Sequence, residues 1–208
     1  GKIHVPFGVF SPLRGEYLDL IAQAPLAPNI QTAFDIGTGS GVIAAILTKR
    51  GIPNIIATDT NPKAIACATA NLKRLGLNKA VNIQSIDLFP KSCADLIVCN
   101  PPWLPAKPTS AIETALYDPN HAMLTAFLNG VRKHLNPNGE AWLIISDLAE
   151  HLHLHDKDFL NQCFQTASLN VVDILKTKPQ HKKAIDETDP LAFARNKETT
   201  YLYRLKTI

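Results

Sequence analysis

The chain has 208 residues, 46% of them hydrophobic and 19% charged, which suits one well-buried globular domain and is short for two. A formal charge of +3 gives no electrostatic case for a nucleic-acid partner. The sequence has neither a signal peptide nor an apolar run of about eighteen residues, which excludes a membrane span and leaves the cytoplasm as the default location.

Residues 1–30 carry Pro6, Pro12, Pro25 and Pro28 around a short amphipathic stretch, Glu16 to Ala24, where Tyr17, Leu18, Leu20 and Ile21 are apolar. This predicts a loop, one helix and a linker packed on a core domain of residues 31–208. The helix either covers the edge of a sheet or forms a flap over a ligand. Because the chain opens on Gly1 rather than methionine, processing or removal of a preceding substrate domain is expected.

Thr32 to Ile36 is a short apolar run with a β-branched start, a buried strand. Gly37, Gly39 and Gly41 follow at alternate positions. Val42 to Arg50 then reads as a helix, with Val42, Ile43, Ile46 and Leu47 on one face and Lys49 and Arg50 in the last turn. Glycines between a strand and a helix N-terminus permit positive φ and let a ligand approach the main chain. A tight connection without a ligand would look similar. The spacing decides against a dinucleotide fingerprint, because a GxGxxG pattern would need glycine where Val42 stands.

Asn54 to Asp59 is a second strand, and Asn61 and Pro62 start a helix that runs to about Leu75 and stops at Gly76. Asp59 lies 24 positions beyond Asp35, near the separation at which a carboxylate on the next strand meets a ribose. The alternative role for Asp59 is to cap the helix. Val81 to Ser85 is a third strand, followed by Asp87, Leu88 and Phe89. Asp95 to Cys99 is apolar enough to be central in a parallel sheet, and it ends in Asn100, Pro101, Pro102 and Trp103. The prolines fix two φ angles and remove two donors, so the chain leaves the sheet extended with carbonyls free. The Asn100 side-chain oxygen and the Pro101 carbonyl could then grip a planar NH2 group while Trp103 stacks on its face.

Asn120 to Leu135 reads as an amphipathic helix ending at NPNG, Ala141 to Ser146 as a strand and Asp156 to Ala167 as a helix. Asn170 to Thr177 and Thr199 to Lys206 read as the last two strands, joined by a long loop. The alternation predicts a doubly wound α/β sheet with its ligand at the carboxyl ends of the strands. Cys67, Cys93, Cys99 and Cys163 lack CxxC spacing and read as reduced core residues. His151, His153 and His155 would share one side of an extended segment, without the further ligands a metal needs, so no metal site is expected. Lys178, His181, Lys182 and Lys183 form a local basic group, either a solvated loop or a phosphate patch.

Asp35 with Gly37, Gly39 and Gly41 resembles the first motif of the Rossmann-like S-adenosylmethionine-dependent methyltransferases. Asn100 to Trp103 resembles the (Asn or Asp)-Pro-Pro-aromatic motif of those that methylate nitrogen on a planar system: glutamine amide, adenine N6 or guanine N2. The resemblance covers most of the chain and is nearest to the small-domain group that includes the release-factor glutamine methyltransferases. There the segment before the glycine motif is similar to Pro12 to Glu16, although the aromatic is usually tyrosine.

The resemblance implies a class I fold, seven-stranded and mostly parallel in the order 3214576, with the last strand antiparallel and helices on both faces. It implies S-adenosylmethionine as cofactor, held by Asp35, Gly37, Thr38, Gly39, Gly41, Asp59 at the ribose, Asp87 at the adenine amino group with apolar neighbours on the ring, and Asn100. Asn100, Pro101, Pro102 and Trp103 are the implied catalytic set, and Glu113 to Asn120 is either a substrate-side loop or an exposed connector. The expected acceptor is a macromolecule, a protein glutamine first and an RNA or DNA base second. Near the motif only Lys107 would favour a base. Recognition would fall to a missing N-terminal domain or a partner subunit. A non-catalytic cofactor-binding scaffold is the reading from a different class.

Overall fold

The computed structural model describes residues 2–9, 15–105, 117–179 and 192–208. Pro12 to Arg14, Lys107, Glu113 to Leu116, and His181, Lys182 and Lys183 lie outside them. The strands are β1 (Thr32–Ile36), β2 (Asn54–Asp59), β3 (Val81–Ser85), β4 (Ala94–Cys99), β5 (Leu135–Ser146), β6 (Leu169–Thr177) and β7 (Thr200–Thr207). They form one seven-stranded sheet in the order β3-β2-β1-β4-β5-β7-β6. Strand β7 runs antiparallel to both of its neighbours, β5 and β6, while β1 to β5 pair in parallel. This is the order and polarity that the resemblance implied.

The central strands are apolar on both faces, and alternate side chains serve opposite layers. Leu96 and Val98 of β4 and Trp142 and Ile144 of β5 join one core, under α1 (Glu16–Gln23), α2 (Val42–Lys49) and α3 (Pro62–Arg74). Ile97, Cys99, Leu143 and Ile145 join the other, under α4 (Ala122–His134) and α6 (Phe159–Thr166). In α2 the buried residues are Ile43, Ala44, Ala45 and Leu47, whereas Val42 and Ile46 are only half-buried. The expected single apolar face is replaced by a broader one, because α1 packs on α2 from outside the sheet. Helix α1 also lies against β6 and β7, so it does cover the sheet. The Arg50 guanidinium ties it to α2, donating to the carbonyls of Ile21 and Ala24.

Several elements depart from the sequence reading. Strand β5 begins at Leu135 instead of Ala141: Leu135 pairs with Ala94 and the next pair is Glu140 with Leu96, so NPNG bulges from the ladder. The Asp95 carboxylate holds that bulge, accepting from Asn136 Nδ2 at 2.7 Å and from the Gln31 and Thr32 backbone N–H groups. Helix α4 starts at Ala122 because Asn120 and His121 have φ of 56° and 54°, and Asp118 caps it from outside, accepting from Met123 N and Leu124 N.

The His151 to His155 segment is not extended. His151 closes a short helix, α5 (Leu148–His151), and His153 is left-handed at φ 54°, so the three imidazoles share no strand face. Among the described residues no group of metal-ligating side chains converges. Helix α6 therefore starts at Phe159, and a further short helix, α7 (Ala192–Arg195), precedes β7. Cys93 is exposed, in contrast to the core position expected of it, while Cys67 and Cys99 are buried and Cys163 half-buried. No helix among the described residues is long and apolar enough to cross a membrane.

Candidate active site

Strands β1, β2 and β4 end side by side, and the sequence-predicted residues gather at their carboxyl edge. After β1 the chain turns through Gly37, Gly39 and Gly41, at φ 70°, 55° and 79°. A Cβ at Gly37 would lie 2.8 Å from the end of the flexible Met123 side chain, and one at Gly41 would lie 3.1 Å from Ala68 Cα, a backbone atom of α3, as well as straining φ. Above Gly39 the space is open: an added Cβ would meet only the Gly37 carbonyl oxygen, at 4.0 Å.

Two carboxylates hold this turn. Asp59, at the end of β2, accepts from Gly39 N at 2.9 Å through Oδ2 and from Asn61 N at 2.8 Å through Oδ1. It is not the cap of α3; Asn61 is, accepting from Lys63 N. Asp35 lies beneath the turn, fully buried, and its Oδ2 accepts from Thr38 Oγ1 at 2.6 Å and Ala44 N at 3.0 Å. Its Oδ1 is buried without a hydrogen-bond partner. Burial outweighs both hydrogen bonds and pushes the Asp35 carboxyl up to about 6, with the Asp59 charge adding to the rise. Thr38 is turned inward to Asp35, and its N–H donates to Thr58 O at 2.8 Å.

Asp87 is exposed beyond the end of β3. Its neighbour Phe89 is not free to flank a ligand there: the ring stacks on His134 at 4.5 Å and fills the notch at Gly130 on α4.

After β4, the Trp103 indole N–H donates to Asn100 Oδ1 at 3.0 Å. The Trp103 ring is half-buried against the margins of both cores, so it is braced by packing as well as by that bond. Pro101 is buried and Pro102 half-buried. Farther on, Leu104 bridges to Tyr117 and accepts from Asp118 N, which ties the segment to the start of α4.

Sequence reasoning missed the other side of Asn100. Tyr17 of α1 is buried, and its phenol is pushed well above the ordinary range by burial and then by Asp35, while an interaction with the Asn100 side chain pulls it down. The Asn100 side chain thus interacts with both Trp103 and Tyr17. The visible signal was a hydroxyl-bearing aromatic on an otherwise apolar helical stripe. Buried His121 was missed as well; it packs against His155 and Phe159 with ring centroids at 5.2 and 4.4 Å. Burial, then the His155 charge, lowers its pKa against the pull of Asp118.

A cavity of about 210 Å3 lined by Ser146, Asp147, Glu150, Tyr201 and Tyr203 lies at the carboxyl end of β5. Another of about 360 Å3, at Asn54 and Lys79, lies at the amino ends of β2 and β3, the wrong edge for this site. An open, carboxylate-held turn beside a proline-stiffened segment can hold a polar ligand and a second one next to it.

Residues 3–175 match the methyltransferase small domain family. Over 139 residues the chain is 33% identical to the release factor glutamine methyltransferase of Cereibacter sphaeroides, covering 60% of this chain and 50% of that protein. It is 30% identical over 133 residues to the tRNA1(Val) (adenine(37)-N6)-methyltransferase of Cytophaga hutchinsonii, covering 60% and 56%. The chain spans about half the length of these curated relatives. Among solved structures it is similar in fold to a ribosomal protein L11 methylase of Lactobacillus delbrueckii, with a TM-score of 0.66, 18% identity and coverage of 99% of this chain and 84% of that one.

Proposed function

Because the chain belongs to the methyltransferase small domain family, we propose that it transfers a methyl group from S-adenosylmethionine to a nitrogen in a planar system, a protein glutamine side chain. The observation that carries this reading is the setting of Asn100, which follows β4 beside the strand that leads into the glycine turn and accepts from the Trp103 indole N–H at 3.0 Å. Two features fit the donor. The space above Gly39 is open to a ligand, and Asp35 Oδ1 is a buried acceptor without a partner, which suits a positively charged one. Bound there, S-adenosylmethionine supplies a methyl group on a sulfonium, open to direct displacement.

The chain's own residues act by position. Asp59 uses one lone pair on each oxygen for Gly39 and Asn61, which leaves acceptor capacity for a ribose diol. Gly37, Thr38 and Gly41 shape the turn, and Asp87 is assigned to the adenine amino group. Trp103 occupies one lone pair of Asn100 Oδ1; the second, with the Pro101 carbonyl, accepts the two N–H bonds of the acceptor amide. Pro101 and Pro102 keep those acceptors rigid. An amide nitrogen is a poor nucleophile because its lone pair is delocalised, and holding it at attack distance can supply about 7 to 11 kcal/mol. No general base is required before transfer, because the proton can leave to water afterwards.

Similarity to a glutamine methyltransferase supports the protein acceptor, and similarity to a tRNA methyltransferase supports a base as the second reading. We assign acceptor recognition to a further domain or a partner subunit, since the chain spans about half of these relatives. Incubation with methyl-labelled S-adenosylmethionine and an unmodified lysate tests the reading: label released by protease is expected. Release by nuclease would move the acceptor to RNA or DNA. If donor binds and no label transfers even with partner fractions added, the chain is a cofactor-binding scaffold.

A further inference from the structure

The start of α4 carries a strain that the proposed reaction does not explain. Asn120 and His121 are consecutive non-glycine residues in the left-handed region, at φ 56° and 54°, a conformation that persists where the surroundings enforce it. Asp118 enforces it. It is 4% exposed, and its two carboxylate oxygens accept from Met123 N at 2.8 Å and Leu124 N at 2.9 Å. Its own N–H donates to the carbonyl of Leu104 at 2.8 Å, one residue beyond Trp103. The chain doubles back so that one aspartate joins the exit of the NPPW segment to the first turn of α4.

The other end of that link is Met123, the only methionine in the chain. Its Cε lies where a Gly37 side chain would begin, 2.8 Å from a Cβ built on that glycine, and the side chain packs on the core that contains Phe34 and Ile36 of β1. An unbroken series of contacts therefore runs from Trp103 through Leu104, Asp118 and Met123 to Gly37, and joins the two motifs beyond the carboxyl ends of β1 and β4. We propose that Asp118 and Met123 are positioning residues that hold the Asn100 to Trp103 segment in register with the glycine turn, an assignment that rests on the methyl-donor reading above. They act through Asn100 and the turn, not on the reactants. Register matters because a misplacement of about 1 Å can cost about 100-fold in rate.

The test pairs a spectrum with a rate. The chain has two tryptophans, Trp103 and Trp142, so fluorotryptophan labelling gives one fluorine resonance on the NPPW segment and one in the core. Saturating S-adenosylmethionine is expected to move the Trp103 resonance of wild type. In Met123→Ala that movement should vanish and label transfer to the unmodified lysate should slow about 10- to 100-fold, while calorimetry finds the donor Kd within about threefold of wild type. Met123→Leu, which refills the space on Gly37, should restore both. Asp118→Asn keeps the shape but sets an NH2 group against a backbone N–H, and should reproduce the alanine result. A full Trp103 shift in Met123→Ala, or a loss of donor affinity as large as the loss of rate, would reduce the two residues to packing and overturn the assignment. So would a wild-type Trp103 resonance that bound donor leaves in place. Failure of the donor reading is separate, because calorimetry would then find no donor binding to wild type.

Discussion

The turn after β1 and the segment after β4 leave adjacent strands at the same edge of the sheet, yet they are held in opposite ways. The turn is fixed through its backbone: three left-handed glycines, with the N–H of Gly39 and Ala44 taken by Asp59 and Asp35. The segment after β4 contains two prolines with no backbone donor to fix, and its Asn100 is engaged through side chains, by Trp103 and by Tyr17. Damage to the turn should therefore appear in binding and stability, and damage to the segment in turnover.

The largest expected effect tests that division directly. Asn100→Ala should lower kcat by roughly 100- to 1,000-fold, the scale of removing one preorganised polar group from a reaction centre, while calorimetry finds the Kd for S-adenosylmethionine close to wild type. A comparable loss of donor affinity would show that the segment also serves binding, and the division would fail.

Next in size is the pH response of the turn. The Asp35 carboxyl is raised by burial from 3.8 to about 6, so the folded protein takes up its proton more readily than the unfolded chain. The stability contributed below pH 3.8 is lost as pH rises through about 6. The change is on the order of 3 kcal/mol. Unfolding free energies of wild type and Asp35→Asn, from denaturant titrations, should diverge by about this amount over that window, with the variant flatter. Parallel curves would mean that Oδ1 has a partner in solution.

How much could be read in advance follows from the same difference. The strands themselves, the turn and the NPPW segment were legible because each rests on local chemistry: apolar runs for parallel strands, glycine where φ must be positive, proline where donors are absent; the order of the strands came from the resemblance. Tyr17 was not legible, since its contact with Asn100 joins residues 83 positions apart and its ring reads as one more apolar residue of α1. Phe89 was misread for the complementary reason: beside Asp87 it looked like a ligand wall, but the notch left by Gly130 on α4 takes the ring. The break before α4 depends on left-handed Asn120 and His121 and on Asp118 reaching forward to Leu124. No periodicity marks such residues.

Asp59 sharpens the comparison from the binding side. Asp59→Ala should remove the acceptor of Gly39 N and any bond to the ribose. Charge-assisted hydrogen bonds contribute about 1.5 to 3 kcal/mol each, so the donor Kd should rise about 10- to 100-fold. At saturating donor, kcat should stay within a few-fold of wild type. Should kcat collapse instead, Asp59 would belong to the chemistry and not to the turn.

The smallest effect is the most specific. Trp103→Phe keeps an aromatic ring against both cores but deletes the indole N–H that donates to Asn100 Oδ1 at 3.0 Å. An asparagine amide freed of that bond can rotate, exchanging the oxygen that would accept the acceptor's N–H for an NH2 group that would repel it. One neutral hydrogen bond is worth about 1 kcal/mol, so kcat should fall by about fivefold with donor affinity unchanged. Tyr17 interacts with the same side chain, so Tyr17→Phe measured alongside shows how the orienting role is shared. If Trp103→Phe leaves kcat untouched while Tyr17→Phe lowers it, α1 alone sets Asn100, and the segment after β4 depends on a helix some eighty residues earlier in the chain for the geometry of its own asparagine.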